Sequence, residues 1–215
     1  MTRIWDRMSA PQSAMEHTSA VRSMRRFILD TTGLGPGDTV LDLGCGPGIY
    51  LATLREAVGD GGHVVGLDLS PKSVRGAARR VERHGWHNVD LITADATTTD
   101  LGTERFDTVI ALYALSAMVD FPAAIRRAHA ALRPGGTLFV ADVRLVPGGR
   151  AAPLIRLLRA IYRGLAKATG RDVAPAVRAV FETVTFPDGR AFDENLLPHW
   201  PPLLMLVATK GQAGD

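Results

Sequence analysis

Cysteine is nearly absent. Cys45 is the only thiol in 215 residues, which excludes an intrachain disulfide and any cysteine-based metal cluster. The six histidines are scattered along the chain and form no metal-ligand spacing. Aromatic residues make up 6% and the formal charge is only +3, too little of either for a nucleic-acid reader. Long apolar runs are also missing. None approaches the ~18 residues of a membrane span, and the first ten residues contain no signal-peptide core. A cytoplasmic location is therefore expected, with no nucleic-acid partner and no metal. No internal repeat is present. What remains, 46% hydrophobic residues in a chain of this length, suits one α/β domain with a sizeable core.

Glycine, by contrast, is plentiful, and three of the 22 glycines cluster in Val40-Leu41-Asp42-Leu43-Gly44-Cys45-Gly46-Pro47-Gly48. The first four residues read as a buried strand, and helical spacing resumes over 49–58. The glycine turn thus lies between a strand and a helix, the arrangement of a nucleotide fold with ligand at the carboxyl end of its first strand. Two ligand classes compete for such a turn. A dinucleotide, and hence an NAD(P)-dependent oxidoreductase, wants a small residue further along the turn for close helix packing. The bulky Ile49 follows Gly48 instead. Asp42, near the end of the strand, is a poor neighbour for a pyrophosphate and a good one for an ammonium group.

Asp42-Leu43-Gly44-Cys45-Gly46-Pro47-Gly48 resembles the first motif of the class I S-adenosylmethionine-dependent methyltransferases. Later landmarks follow that family in order. Gly62-His63-Val64-Val65-Gly66-Leu67-Asp68 reads as a second strand ending in an acid 20 residues past Gly48. Ser70-Pro71 opens the next helix, with serine as cap and proline in the first turn. Val89-Asp90-Leu91-Ile92-Thr93-Ala94-Asp95-Ala96 is similar to the third strand, Phe106-Asp107-Thr108-Val109-Ile110-Ala111 to the fourth, and the stretch from Leu132 to Asp142 to the turn into the fifth. The resemblance implies a Rossmann-like, doubly wound α/β sheet of seven strands, mostly parallel with an antiparallel last strand and helices on both faces. It implies S-adenosylmethionine as cofactor and S-adenosylhomocysteine as product. The cofactor-binding role falls on Asp42, Gly44, Cys45, Gly46, Gly48, Asp68, Leu69, Asp95, Ala96 and Ala111. Within that set Asp68 would accept from the ribose hydroxyls and Asp95 from the adenine amino group. The likeness is greatest to the branch with small-molecule, quinone and lipid acceptors, so a hydrophobic or amphipathic acceptor is expected. A member that binds the cofactor without transferring methyl is the other reading. Ala111-Leu112-Tyr113-Ala114 stands where an Asn-Pro-Pro-Tyr-type sequence would mark methylation of DNA bases or glutamine amides.

Other acids have plainer expectations. Asp107 orders the turn before its strand, and Asp142 caps the end of the fifth. The Cys45 side chain is read as packing rather than as a nucleophile, and His129 as an ordinary surface or interface histidine.

Three zones follow. Residues 1–37 precede the fold proper, with a helix patterned over 13–29; the family's amino-terminal helices cover the cofactor and substrate. Residues 38–142 form the cofactor-binding half. Residues 143–210 are variable, with a helix over 153–168 and strands over 180–186 and 203–209, antiparallel at their junction. The 153–168 helix has Leu154, Leu157, Leu158, Ile161 and Leu165 along one stripe and Arg156, Arg159, Arg163 and Lys167 along another. Packing of the apolar stripe on the domain is expected, and contact with an anionic membrane surface is the alternative. On the acceptor side, Tyr113 stands at the end of the fourth strand. His17 is a candidate general base on the amino-terminal helix, and His199 lies near the last strand. Trp5 is a candidate for packing on the ligand.

Overall fold

Val40, Leu41, Asp42 and Leu43 are all buried, as a strand covered on both faces requires. They belong to β1 (Thr39–Leu43), which pairs in parallel with β2 (His63–Asp68) on one side and β4 (Phe106–Leu112) on the other. The structure, a computed structural model, describes residues 18–166, 171–197 and 202–212. With β3 (Val89–Thr93), β5 (Leu132–Val143), β6 (Thr183–Thr185) and β7 (Leu203–Thr209), the seven strands run in the order β3-β2-β1-β4-β5-β7-β6. β7 is antiparallel to both its neighbours and every other pairing is parallel, so β7 alone is reversed, as expected. The chain doubles back from the β3 edge to lay β4 beside β1, creating a topological switch point between them.

Side-chain alternation splits the core between the two faces of this sheet. Leu41, Val109, Leu138 and Val140 point to one face, where α4 (Phe121–Ala131) and α6 (Ala174–Arg178) pack. Val40, Ile110 and Phe139 point to the other, against α1 (Ser19–Thr32), α2 (Leu51–Val58) and α3 (Pro71–His84). α1 is integral to that face: Ile28 is fully buried, and the Phe27 ring lies 6.0 Å from that of Phe139. The helix expected over 13–29 is described as α1, which starts at Ser19 with the side chain of Thr18 as its cap and runs on to Thr32; residues 13–17 lie outside the described residues. Ser70 caps α3 ahead of Pro71, as its sequence signal implies, and Asp120 caps α4 ahead of Pro122.

Two expectations for the variable zone need correcting. The strand placed over 180–186 shrinks to Thr183–Thr185, because the preceding residues close helical turns: Ala179 donates to Pro175 and Phe181 to Val177, each through the backbone. The helix at 153–168 is present as α5 (Ala152–Ala166), but three residues of its apolar stripe do not pack on the domain. Leu154, Leu157 and Ile161 are exposed and Leu158 is half-buried, while Ile155, off the stripe, is buried. Periodicity reports that a helix has an apolar side and not what that side meets. No helix among the described residues is long and apolar enough to cross a membrane.

Candidate functional site

The glycine turn is fixed from below. The Gly44 and Cys45 N–H groups both donate to the Leu67 carbonyl, at 2.7 and 3.0 Å, which ties the end of β1 to the end of β2. Gly44 has φ +85°, and a Cβ there would lie 2.5 Å from Cβ of Ala114. Gly48 has φ +79°, and a Cβ would meet Leu51 at 2.6 Å and Ala77 at 3.1 Å. Both positions thus need the left-handed backbone and the missing side chain together. This brings the turn against the loop after β4 on one side and against α2 and α3 on the other.

Three carboxylates stand at the ends of three successive strands. Asp68 is a hub: its Oδ2 accepts from the Gly46 N–H at 2.9 Å and its Oδ1 from the Ser70 N–H at 2.8 Å. It therefore holds the glycine turn to the start of α3. Asp95 closes the turn after β3, its Oδ1 accepting from the Thr97 N–H at 2.9 Å and from Oγ1 at 2.7 Å. Its Oδ2 has no hydrogen bond among the described residues. Asp42 is different. It is buried, and burial, with the nearby Asp68 charge adding to it, pushes its carboxyl from 3.8 up to about 7. Its Oδ2 is buried with no partner among the described residues. A buried, unpaired carboxylate oxygen is costly unless a donor arrives, above all a cationic one. That donor requirement is the test of fit for a ligand bearing an ammonium group, and the site passes it.

The remaining expected cofactor residues differ in what they show the ligand edge. Leu69 is half-buried. Ala96 and Ala111 have their side chains inside the core. The Cys45 thiol is buried and its pKa raised, first by burial and then by the Asp42 and Asp68 charges. It lies 3.6 Å from the Gly46 carbonyl, and a Cβ on Gly66 would come within 3.1 Å of the sulfur. A protonated, close-packed thiol is no nucleophile.

Tyr113, just beyond β4, is one of two non-glycine residues with positive φ, +54°, among those described. Its N–H donates to the Ala141 carbonyl at 2.7 Å, which holds this costly conformation, and its ring is 45% exposed. Burial, and secondarily Asp142, raises the phenol pKa. His17, His199 and Trp5 lie outside the described residues.

Sequence reasoning missed two neighbours. Tyr50, on the turn into α2, is buried, and its phenol is pushed up to about 12 by burial first, then by Tyr113 and Asp42, with Arg25 opposing. Arg25 of α1 ties that helix to the same turn by donating to the Ile49 carbonyl at 2.6 Å. The only available signal was an aromatic two residues after Gly48. The second is Asp142. It does not merely cap β5: its fully buried carboxylate accepts from the Ser116 N–H at 2.8 Å, the Ser116 hydroxyl at 2.5 Å and the Val143 N–H at 2.7 Å. It thereby pins the 3-10 turn Leu115–Ala117 that follows Tyr113 and Ala114. Asp142→Asn puts an amide donor opposite these donors. We expect a loss of about 1–2 kcal/mol, which a thermal melt would show as a fall of about 3–8 °C. An unchanged melting temperature would remove Asp142 from this role.

Asp107 and His129 lie away from this edge, and Asp107 does not order the turn before its own strand, the role expected of it, but bonds the start of β1 and Arg133. Asp107 accepts from the Thr39 N–H at 2.7 Å and pairs with Arg133, ordering the opposite end of the sheet. His129 packs edge-on against Phe181 at 4.9 Å. Among the described residues, no three His, Cys, Asp or Glu side chains gather as a metal centre.

A sheet of this order with only β7 reversed, a glycine turn after β1 and acids ending β1 and β2 and following β3 define a class I methyltransferase fold. The chain belongs to the methyltransferase domain family, which it matches over residues 34–182. It is 34% identical over 117 residues to nocamycin O-methyltransferase of Saccharothrix syringae, covering 54% of this chain and 42% of that protein. It is 32% identical over 122 residues to the ubiquinone/menaquinone biosynthesis C-methyltransferase of Vibrio campbellii, covering 56% and 47%. The chain thus spans about half the length, or less, of these curated relatives. Among solved structures, the YcgJ protein of Bacillus subtilis superposes with a TM-score of 0.71 at 14% identity, covering 89% of this chain and 99% of that one.

Proposed function

We propose that the chain transfers a methyl group from S-adenosylmethionine to a small, hydrophobic or amphipathic acceptor by in-line displacement. The observation that carries this reading is the unpartnered, buried Asp42 Oδ2 beneath a glycine turn that Asp68 holds closed. When bound, S-adenosylmethionine supplies an electrophilic methyl on a sulfonium centre. The protein's part is then to bind, orient and keep water away. Asp42 answers the cationic amino-acid end, Asp68 the ribose hydroxyls, and the free oxygen of Asp95 the adenine amino group. Gly44, Cys45, Gly46 and Gly48 bring main chain against the ligand, while Leu69, Ala96 and Ala111 adjoin it. Relatives named for O-methylation of nocamycin and C-methylation in quinone biosynthesis support a small-molecule acceptor.

Tyr113 serves the acceptor side. Its raised pKa keeps the phenol protonated at neutral pH, so it acts as a hydrogen-bond donor that orients the acceptor rather than as a base. A base is needed only where the acceptor carries a proton at the reacting atom, and His17 is our candidate for that case. Tyr113→Phe is expected to leave cofactor affinity unchanged while lowering kcat by about tenfold, in the range of one lost neutral hydrogen bond. Equal rates would reduce Tyr113 to a wall of the pocket.

Calorimetric titration with S-adenosylmethionine, S-adenosylhomocysteine and NADH tests the cofactor assignment, followed by mass spectrometry on a panel of phenols, quinols and amphipathic amines. Heat from the first two ligands alone, with transfer of a methyl to one of the panel, is the expected result. Binding of NADH without either of the others would overturn the assignment.

A further inference from the structure

α5 exposes the apolar residues that an amphipathic helix normally hides. Leu154, Leu157 and Ile161 are 44%, 58% and 46% exposed, and their spacing of three and four sets them along one side of the helix. The excursion that carries them is stapled at its base: Arg144 Nε pairs with Asp172 Oδ2 at 2.6 Å, both side chains largely buried, and Ile155 is fully buried. α5 is thus held in place with its aliphatic side turned outward. That side offers aliphatic carbon to whatever meets it.

Charge identifies what this side meets. Residues 143–172 contain six arginines and one lysine and a single acid, the Asp172 that pairs with Arg144, so this segment carries +6 while the rest of the chain carries −3. Arg150, Arg156 and Arg163 are exposed around the same helix. We propose that α5 docks the domain on an anionic lipid bilayer, its aliphatic side at the acyl boundary and its arginines among the headgroups. A fluid apolar phase under a negative surface satisfies both features at once, and each basic residue near such a surface adds to the attraction. The inference stands apart from the proposed reaction.

Co-sedimentation of the full chain with phosphatidylcholine vesicles, plain or with about one third phosphatidylglycerol, tests it. Binding to the anionic vesicles alone, weakened by added salt, is expected. Arg156→Gln with Arg163→Gln should lower the partition coefficient about thirtyfold. Leu157→Glu with Ile161→Glu should abolish binding. All four residues are exposed, so melting temperatures should match the parent, and that match is checked first. No binding to anionic vesicles overturns the proposal, as does binding that neither pair of changes reduces. A dimer seen by light scattering that Leu157→Glu dissolves would assign the surface to a second copy of the chain instead.

Discussion

Asp42→Asn is expected to stabilise the cofactor-free protein above pH 7 and, in the same variant, to weaken S-adenosylmethionine binding. The carboxyl titrates near 3.8 ordinarily and at about 7 in the folded chain, chiefly because it is buried. Between these values the folded state keeps a proton that the unfolded state has released. Stability therefore falls as pH rises from about 4 to about 7, by up to about 4 kcal/mol at roughly 1.4 kcal/mol per pH unit. Asparagine has no proton to lose, so that loss disappears. Its amide NH2 lacks an acceptor at the position of Oδ2, which costs about 1–3 kcal/mol. The net gain above pH 7 is about 1–3 kcal/mol, or about 2–12 °C in Tm for a chain of this size. At pH 5, where the parent's carboxyl is already protonated, the gain disappears or reverses. Cofactor affinity moves the other way. A charge-assisted hydrogen bond of about 1.5–3 kcal/mol is lost, a weakening of about ten- to a hundredfold. Parent affinity should also fall as pH drops below 7, since the carboxylate must ionise to hold a cation. Melting curves at pH 5 and 8, with calorimetry at pH 6 and 8, check all of this. If the Asn variant kept the parent's pH slope of stability, Asp42 would not be the titrating group.

The opposed signs belong together. A carboxylate buried without a partner destabilises the empty domain, and the same missing partner makes it a binding group. The sequence showed half of this. Asp42 lies inside an apolar strand, and the anionic choice at a ligand edge favoured a cation over a pyrophosphate. Burial of the side chain with no donor to its Oδ2 among the described residues depends on how β2, β4 and the loop after β4 close around it, and no local pattern reports that.

The same divide runs through the rest of the molecule. β1, β2 and β4 were legible because parallel strands buried on both faces read as unbroken apolar runs, and the helix cap at Ser70 because it is local. β6 was overextended because Val180 and Phe181 look like strand residues, whereas backbone bonds to Val177 wind them into a helical turn. Tyr50 and Asp142 were undervalued for another reason. Tyr113, whose charge bears on Tyr50, and Ser116, which Asp142 holds, lie 63 and 26 residues away in the chain and come near them only through the order of the sheet. The apolar stripe of α5 was seen, but its direction was not.

Asp68→Ala is expected to reduce cofactor affinity more than any ligand contact alone would explain. The carboxylate has two tasks. In the proposed reading it accepts from the ribose hydroxyls, and in the structure it ties the Gly46 N–H to the Ser70 N–H, closing the glycine turn over the start of α3. Alanine removes the first, worth about 1.5–3 kcal/mol for a charged acceptor. It also frees the turn at Gly46, so that ordering the turn must be supplied by binding, at about 1 kcal/mol for a fixed residue. The sum, about 2.5–4 kcal/mol, corresponds to a weakening of about a hundred- to a thousandfold. Asp68→Asn separates the tasks. An amide retains one acceptor oxygen, enough for one of the two backbone donors but not for both, so its affinity should fall between parent and alanine. Hydrogen exchange at Gly46 and Ser70 in the cofactor-free state supplies the second readout: both amides should exchange faster in Asp68→Ala, and only one of them in Asp68→Asn. Unchanged protection with full loss of affinity would mean that Asp68 meets the ligand but does not hold the turn. Faster exchange with parent-like affinity would mean the opposite, and would move the ribose contact to another residue.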